Sequence, residues 1–264
     1  MPPRCCGRWP RAWPARDERG DRVTDLMLLS NSFSPGLGLL EHAIDTIGEL
    51  LNEGSRVLFI PFASSDPDAY TDAMTDGLAP LGVRVTGAHR VTDPVRALAE
   101  HDAVFVGGGN SFRLLRAAER SGLLSVIRER VAVGMPYLGA SAGANLACPT
   151  IRTTNDMPIV QPASLNALEL IPFQINPHYP ATAQDGYPGE TRDTRIVQFL
   201  EENDVPVLGL CEGSWVRVQG ATASIGGTAG GRLFARGAAP RAVEPGDDVS
   251  SLLTRQSMYD VPHR

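Results

Sequence analysis

Long apolar runs are missing from this sequence. No stretch approaches the roughly 20 consecutive apolar residues that carry a helix across a bilayer, which excludes a helical membrane span. Residues 1–24 also lack the continuous apolar segment of about 7–15 residues that a signal peptide needs. Cysteine is scarce: Cys5, Cys6, Cys148 and Cys211 are the four, and their spacing fits neither a zinc site nor a disulfide framework. The expectation is a reducing, cytoplasmic setting, with no metal and no cofactor, and with Cys148 and Cys211 acting as small buried hydrophobes. Positive charge is not in excess either. A formal net charge of −6 gives no general attraction to phosphate backbones or anionic lipid, so neither nucleic acid nor membrane is an expected partner. Internal repeats and long low-complexity tracts are absent as well.

What the chain does have is 264 residues, 42% of them hydrophobic, enough for one large α/β domain with a sizeable core. Residues 1–24 are rich in Pro and Arg and read as a disordered extension, with a basic interaction arm as the alternative. A single hydrolytic domain is expected over 25–244, followed by a peripheral tail over 245–264. Short apolar runs predict buried strands at 26–30, 57–61, 83–86, 103–106, 136–139, 173–176 and 207–210. Helical spacing predicts helices over 39–51, 70–81, 94–100, 112–120, 123–133, 142–147 and 191–202. Alternation with many glycines predicts antiparallel hairpins at 215–218, 221–225 and 232–235. Strands that alternate with helices through the first 150 residues predict a mostly parallel sheet with helices on both faces.

In such a sheet, ligands bind at the carboxyl ends of the strands. Polar or glycine-rich points fall just after predicted strands at Ser30-Asn31-Ser32, Gly107-Gly108-Gly109-Asn110, Ser141, His178 and Glu212. Gly139-Ala140-Ser141-Ala142-Gly143 between a strand and a helix is the G-x-S-x-G pattern of a nucleophile elbow. The small flanking residues suit a tight, strained turn, and the N–H of Ala142 faces a developing oxyanion. A serine nucleophile needs a base. Of the five histidines, His178 follows a strand, whereas surface roles suit His42, His89 and His101, and His263 lies in the tail. Two carboxylates are candidates to orient His178. Glu212 lies on the ligand edge, and Asp156 fits a Ser-Asp-His chain order. Gly108 or Gly109 is the expected second oxyanion donor, and Asn110 beside them a substrate contact. A phosphate loop is the rival reading, but G-x-G-x-x-G is absent and no P-loop lysine follows.

Together these segments resemble the peptidase E family of α-aspartyl dipeptidases. The matching stretches include Leu29-Ser30-Asn31-Ser32, residues 57–62, residues 78–83, residues 106–110, the block SAGANLACPTIRTTNDMP from Ser141 to Pro158, QINPH from Gln174 to His178, and Gly189-Glu190-Thr191-Arg192. They span about residues 25–235. The block after Ser141 argues against the related cyanophycinases, which share only the elbow. The resemblance implies a class I glutamine amidotransferase-like (flavodoxin-like) fold with serine in place of cysteine. It also implies hydrolysis of dipeptides with N-terminal aspartate, with Ser141 and His178 as nucleophile and base. The third member stays open between Asp156 and Glu212. The implied partner is a small Asp-X peptide, and the chain is expected to be a monomer or a homodimer. An aspartyl side chain calls for a guanidinium that can grip its carboxylate through two hydrogen bonds. Arg192 is the choice for that role, with Arg152 as the weaker alternative. Another amide hydrolase on the same scaffold and a non-catalytic small-molecule-binding protein are the competing functions.

Overall fold

The computed structural model describes residues 24–34, 36–181 and 189–262; residues 1–23 of the expected extension, with Cys5 and Cys6, lie outside these, as does His263. In chain order the elements are β1 (Asp25–Leu29), α1 (Ile44–Leu50), β2 (Arg56–Ile60), α2 (Pro67–Leu78), β3 (Arg84–Gly87), α3 (Pro94–Ala99) and β4 (Ala103–Val106). Then come α4 (Ser111–Arg120), α5 (Leu123–Ala132), β5 (Tyr137–Ala140), α6 (Ala142–Ala147), β6 (Gln174–Tyr179) and α7 (Arg192–Glu202). The chain continues with β7 (Val207–Cys211), β8 (Ser214–Gln219), β9 (Thr222–Gly227), β10 (Gly231–Phe234) and β11 (Arg241–Val243).

Seven strands form one sheet in the order β3-β2-β4-β5-β1-β8-β9. β3, β2, β4, β5 and β1 pair in parallel, and β8 and β9 add an antiparallel edge. Alternation along each strand divides the core between two faces. Leu26, Leu28, Leu58, Ile60, Val104 and Val106 pack with apolar residues of α3, α4, α5 and α6. Met27, Leu29, Val57, Phe59, Ala103 and Phe105 pack on the opposite face with α1 and α2. The strands therefore carry apolar residues on both sides, which is why they read as unbroken runs. The fold is α/β, with a mostly parallel sheet between helices and antiparallel strands toward the C-terminus.

Helix starts follow local capping chemistry. Asp66, Asp93 and Asn110 accept the backbone N–H of Ala69, Arg96 and Arg113 at the starts of α2, α3 and α4. The helix expected over 70–81 thus begins earlier, at the Asp66-Pro67 pair, and ends in a 3₁₀ turn at Ala79–Leu81. The helix expected over 39–51 is shorter. Leu40 sits at φ 61°, residues Glu41–Ala43 form a 3₁₀ turn, and α-helical bonding starts at Ile44.

A second, four-stranded sheet has the order β11-β10-β7-β6. β6 and β7 are parallel, and β10 and β11 add to them antiparallel. The strand expected near 232–235 therefore pairs with β7 rather than with the β8–β9 hairpin, and β11 is an addition to the expected set. Part of the stretch 245–262, expected as a peripheral tail, reaches the core. Val249, Leu252 and Leu253 are buried in the main core with Ala223 and Ile225 of β9. Tyr259 accepts a hydrogen bond from Gln174, and Asp260 pairs with Arg152 at 2.8 Å. Among the described residues, no helix is long and apolar enough to cross a membrane.

Candidate active site

β5 is fully buried and runs straight into Ser141, which stands at φ 53°, ψ −108°. L-residues rarely adopt that conformation, and it costs on the order of 1–3 kcal/mol unless the surroundings hold it. Here they do. The N–H of Ser141 donates to Leu29 O at 2.9 Å, and its carbonyl accepts from Asn145 N in the first turn of α6. Glycine is required on the inner side of the elbow, where α6 crosses the sheet. A Cβ on Gly143 would fall 2.1 Å from Val106 O, and one on Gly139 would fall 2.6 Å from Gly143 O. The turn thus projects the Ser141 hydroxyl from the carboxyl edge of the sheet while α6 begins directly behind it.

His178 belongs to the second sheet. Between Asn176 and Tyr179 the register of β6 against β7 shifts, because Pro177 and His178 on one strand face Leu210 alone on the other. His178 occupies this bulge at φ 54°. A bulge re-aims a side chain, and here it points the imidazole back toward the first sheet, with Nε2 2.8 Å from Ser141 Oγ. The strand expected to end at Asn176 therefore continues through His178 to Tyr179, and the histidine is presented by an irregularity inside it. Nδ1 lies 2.7 Å from Glu212 Oε1. Glu212 sits in the two-residue turn, with Gly213 at φ 79°, that joins β7 of one sheet to β8 of the other. His178 and Glu212 are 42% and 53% exposed, so a substrate can reach the pair.

Asp156 is placed differently. Its Oδ2 accepts from the N–H of Ser111, the first residue of α4, at 2.7 Å, and lies 3.0 Å from Thr154 Oγ1. It is engaged at a helix N-terminus, where a carboxylate is favoured, and the partner of His178 is Glu212. The neighbouring residues of its block serve β6. Asn155 donates to Pro177 O and accepts from Asn176, whose amide also donates to Thr153 O. The segment that carried much of the resemblance thus ties α4 to the strand that holds His178.

The glycine run after β4 lies against the elbow. A Cβ on Gly108 would stand 3.2 Å from Ser141 Cβ. The Gly108 N–H, however, donates to Tyr70 Oη at 2.9 Å, because α2 brings this half-buried phenol across the end of β4. Burial pushes the Tyr70 hydroxyl above its ordinary pKa. Of the two glycines expected to serve as second donor, Gly108 is therefore already bonded within the protein. Nothing in the spacing of Tyr70 along its helix signals this contact. Gly109, at φ 127°, packs so closely that a Cβ would meet Ala63 O at 2.6 Å. Asn110, expected as a substrate contact, makes bonds within the protein. Its Oδ1 caps α4 through Arg113 N, and its Nδ2 donates to Met157 O, so each end of the amide has one partner within the protein.

Arg192 is the first residue of α7 and donates through Nη1 to Asn176 Oδ1 at 3.1 Å. Among the described residues no carboxylate pairs with it. Desolvation by burial, and to a lesser extent the charge of Arg195, lowers its pKa, as expected of a cation short of a counter-ion. It lines a cavity of about 390 Å³ between the start of α7 and β10–β11, beside Tyr179 and Cys211, the sequence neighbours of His178 and Glu212. Arg152, the alternative, is committed to Asp260. His42, His89 and His101 stand apart from the site. His89 pairs with Asp68, and His101 bonds Ala97 O. His42 departs from the surface role expected of it, since both its ring nitrogens are buried and it lies near Trp215. Cys148 and Cys211 are free and buried, and burial pushes the Cys148 thiol up to about 12.

Elbow serines that meet a histidine–carboxylate pair at the edge of an α/β sheet define the serine hydrolase class. Within that class the comparison is specific. The model of peptidase family S51 matches residues 26–226. Peptidase E of Streptomyces coelicolor is 53% identical over 241 residues, covering 91% of this chain and 99% of the relative. Peptidase E of Salmonella typhimurium is 48% identical over 225 residues, covering 84% and 98%. The chain belongs to peptidase family S51, the serine peptidase family of these peptidases E. Two solved structures share the fold, each at a TM-score of 0.61. One is a Listeria monocytogenes protein assigned to peptidase E (24% identity, 78% of this chain, 98% of the other). The other is a peptidase from an acI-B1 Actinobacterium (15% identity, 86% and 97%).

Proposed function

We propose that this protein is a serine dipeptidase that hydrolyses dipeptides with N-terminal aspartate through an acyl-enzyme, with Ser141, His178 and Glu212 as its triad. The observation that carries the reading is the continuous chain from Ser141 Oγ to His178 Nε2 at 2.8 Å and from His178 Nδ1 to Glu212 Oε1 at 2.7 Å. With Nδ1–H held by Glu212, Nε2 presents its lone pair to the serine hydroxyl. Ser141 Oγ attacks the peptide carbonyl as His178 takes its proton. The tetrahedral oxyanion is held by the N–H groups of Ala142 and Gly109, the former strengthened by the start of α6. As the C–N bond breaks, His178 returns the proton to the leaving amine of the second residue. Water, deprotonated by His178, then attacks the ester, and Ser141 leaves with that proton as free aspartate departs.

Arg192 supplies the selectivity in this reading. It is half-buried and bonded to Asn176, two residues before the base, and the aspartyl carboxylate gives it the counter-ion it lacks. The buried free thiols of Cys148 and Cys211 fit a reducing, cytoplasmic setting. Steady-state assays of Asp-Leu, Glu-Leu and Ala-Leu test the proposal alongside Ser141→Ala. Asp-Leu alone is expected to be cleaved well, and Ser141→Ala to lose at least about 10⁴-fold in kcat/KM with its thermal midpoint retained. Comparable cleavage of all three, or substantial turnover by Ser141→Ala, would refute it.

A further inference from the structure

Three consecutive residues at the end of β1 each accept one backbone N–H from a different arm of the site. Leu29 O accepts from Ser141 N at 2.9 Å. Ser30 Oγ accepts from His178 N at 2.9 Å. Asn31 Oδ1 accepts from Gly213 N, the residue after Glu212, at 2.8 Å. Ser30 also donates through Oγ to Leu210 O at 2.8 Å and through its N–H to Ser214 O at 3.0 Å. It is fully buried, and Asn31 is nearly so. These bonds join residues 148 and 182 positions apart in the chain.

We infer that Ser30 and Asn31 are positioning residues that hold His178 and Glu212 in register with Ser141. The need for them follows from the architecture. Ser141 and the His178 strand belong to different sheets, and no main-chain ladder joins β6 to β1. His178 also sits at φ 54° inside a bulge, where its N–H does not complete the β6–β7 ladder. A residue held in that conformation persists only when its surroundings fix it, and a displaced base loses rate steeply because proton transfer requires hydrogen-bond contact. Ser30 Oγ supplies the acceptor for the bulged N–H and anchors itself to the carbonyl of Leu210 in the neighbouring strand. Asn31 performs the same service for the turn that presents Glu212, while its Nδ2 donates to Phe33 O. One dipeptide therefore sets the distances on both sides of the imidazole without touching substrate.

The inference rests on the triad proposed above, and the experiment separates the two. In the full chain, Ser30→Ala and Asn31→Ala are expected to lower kcat for Asp-Leu by about 10–100-fold, with KM within about threefold of the parent. Asn31→Asp keeps an acceptor for Gly213 N and is expected to retain more turnover than Asn31→Ala. Proton NMR supplies a readout that a structural role would not move. The parent should show a downfield Nδ1–H resonance from the His178–Glu212 bond. That resonance should vanish in Glu212→Gln and broaden or shift in Ser30→Ala, with the rest of the spectrum retained. If Ser30→Ala does not fold, the Asn31 pair carries the test. Unchanged kcat and an unchanged resonance in folded Ser30→Ala or Asn31→Ala, while Glu212→Gln is crippled, would overturn the inference alone. An active Glu212→Gln would instead overturn the triad.

Discussion

The two sheets hold their parts of the site by different means. On the seven-stranded sheet, Ser141 is fixed by its own neighbours: a buried strand before it, a helix after it, and glycines that let the two touch. On the four-stranded sheet, His178 and Glu212 sit on a bulge and a turn, more than 40% exposed, and are held through bonds to Ser30 and Asn31. The nucleophile is locally determined and the base and acid are determined at long range. Damage should therefore fall on activity in one region and on stability in the other.

On the four-stranded side, Arg192→Ala is expected to lower kcat/KM for Asp-Leu by about 10²-fold while leaving the thermal midpoint within a few degrees. A buried polar site discriminates sharply only while its paired group is present. Turnover of Ala-Leu should change little, and an equal loss on both substrates would remove Arg192 from substrate selection. On the seven-stranded side, Gly143→Ala places a methyl against the Val106 carbonyl, a backbone atom that cannot step aside. Overpacking of this kind costs about 1–3 kcal/mol. Thermal or urea unfolding should register that loss, and an unperturbed midpoint would show that α6 is more loosely seated than its contacts imply.

The same contrast explains what could be read from the sequence. The strands β1, β2, β4 and β5 and the elbow are local features, since apolar runs and a G-x-S-x-G segment carry them. The carboxyl-edge argument also gathered Ser30, Ser141, His178 and Glu212 before any pairing was known. The split into two sheets was not legible, because it depends on β6 and β7 pairing with each other and with β10 rather than with β1 or β5. The separation of Asp156 from Glu212 was not legible either. Chain order favoured one and strand position the other, and they are told apart by the contact of Glu212 with His178 and the docking of Asp156 on α4. Tyr70 and Asn110 show the same limit. A phenol that takes a glycine N–H, and an amide that caps a helix at one end and holds the Met157 carbonyl at the other, are outcomes of packing that no spacing announces.

The most direct measurement is kcat for Asp-Leu in Glu212→Gln beside Asp156→Asn. Glu212→Gln removes the charge that holds the imidazole tautomer and stabilises imidazolium, and should lose about 10²-fold or more with KM little changed. Asp156→Asn weakens a helix-end contact, which should cost about 1 kcal/mol of stability and leave kcat within about threefold. The opposite ranking, with Asp156→Asn crippled and Glu212→Gln active, would contradict the account.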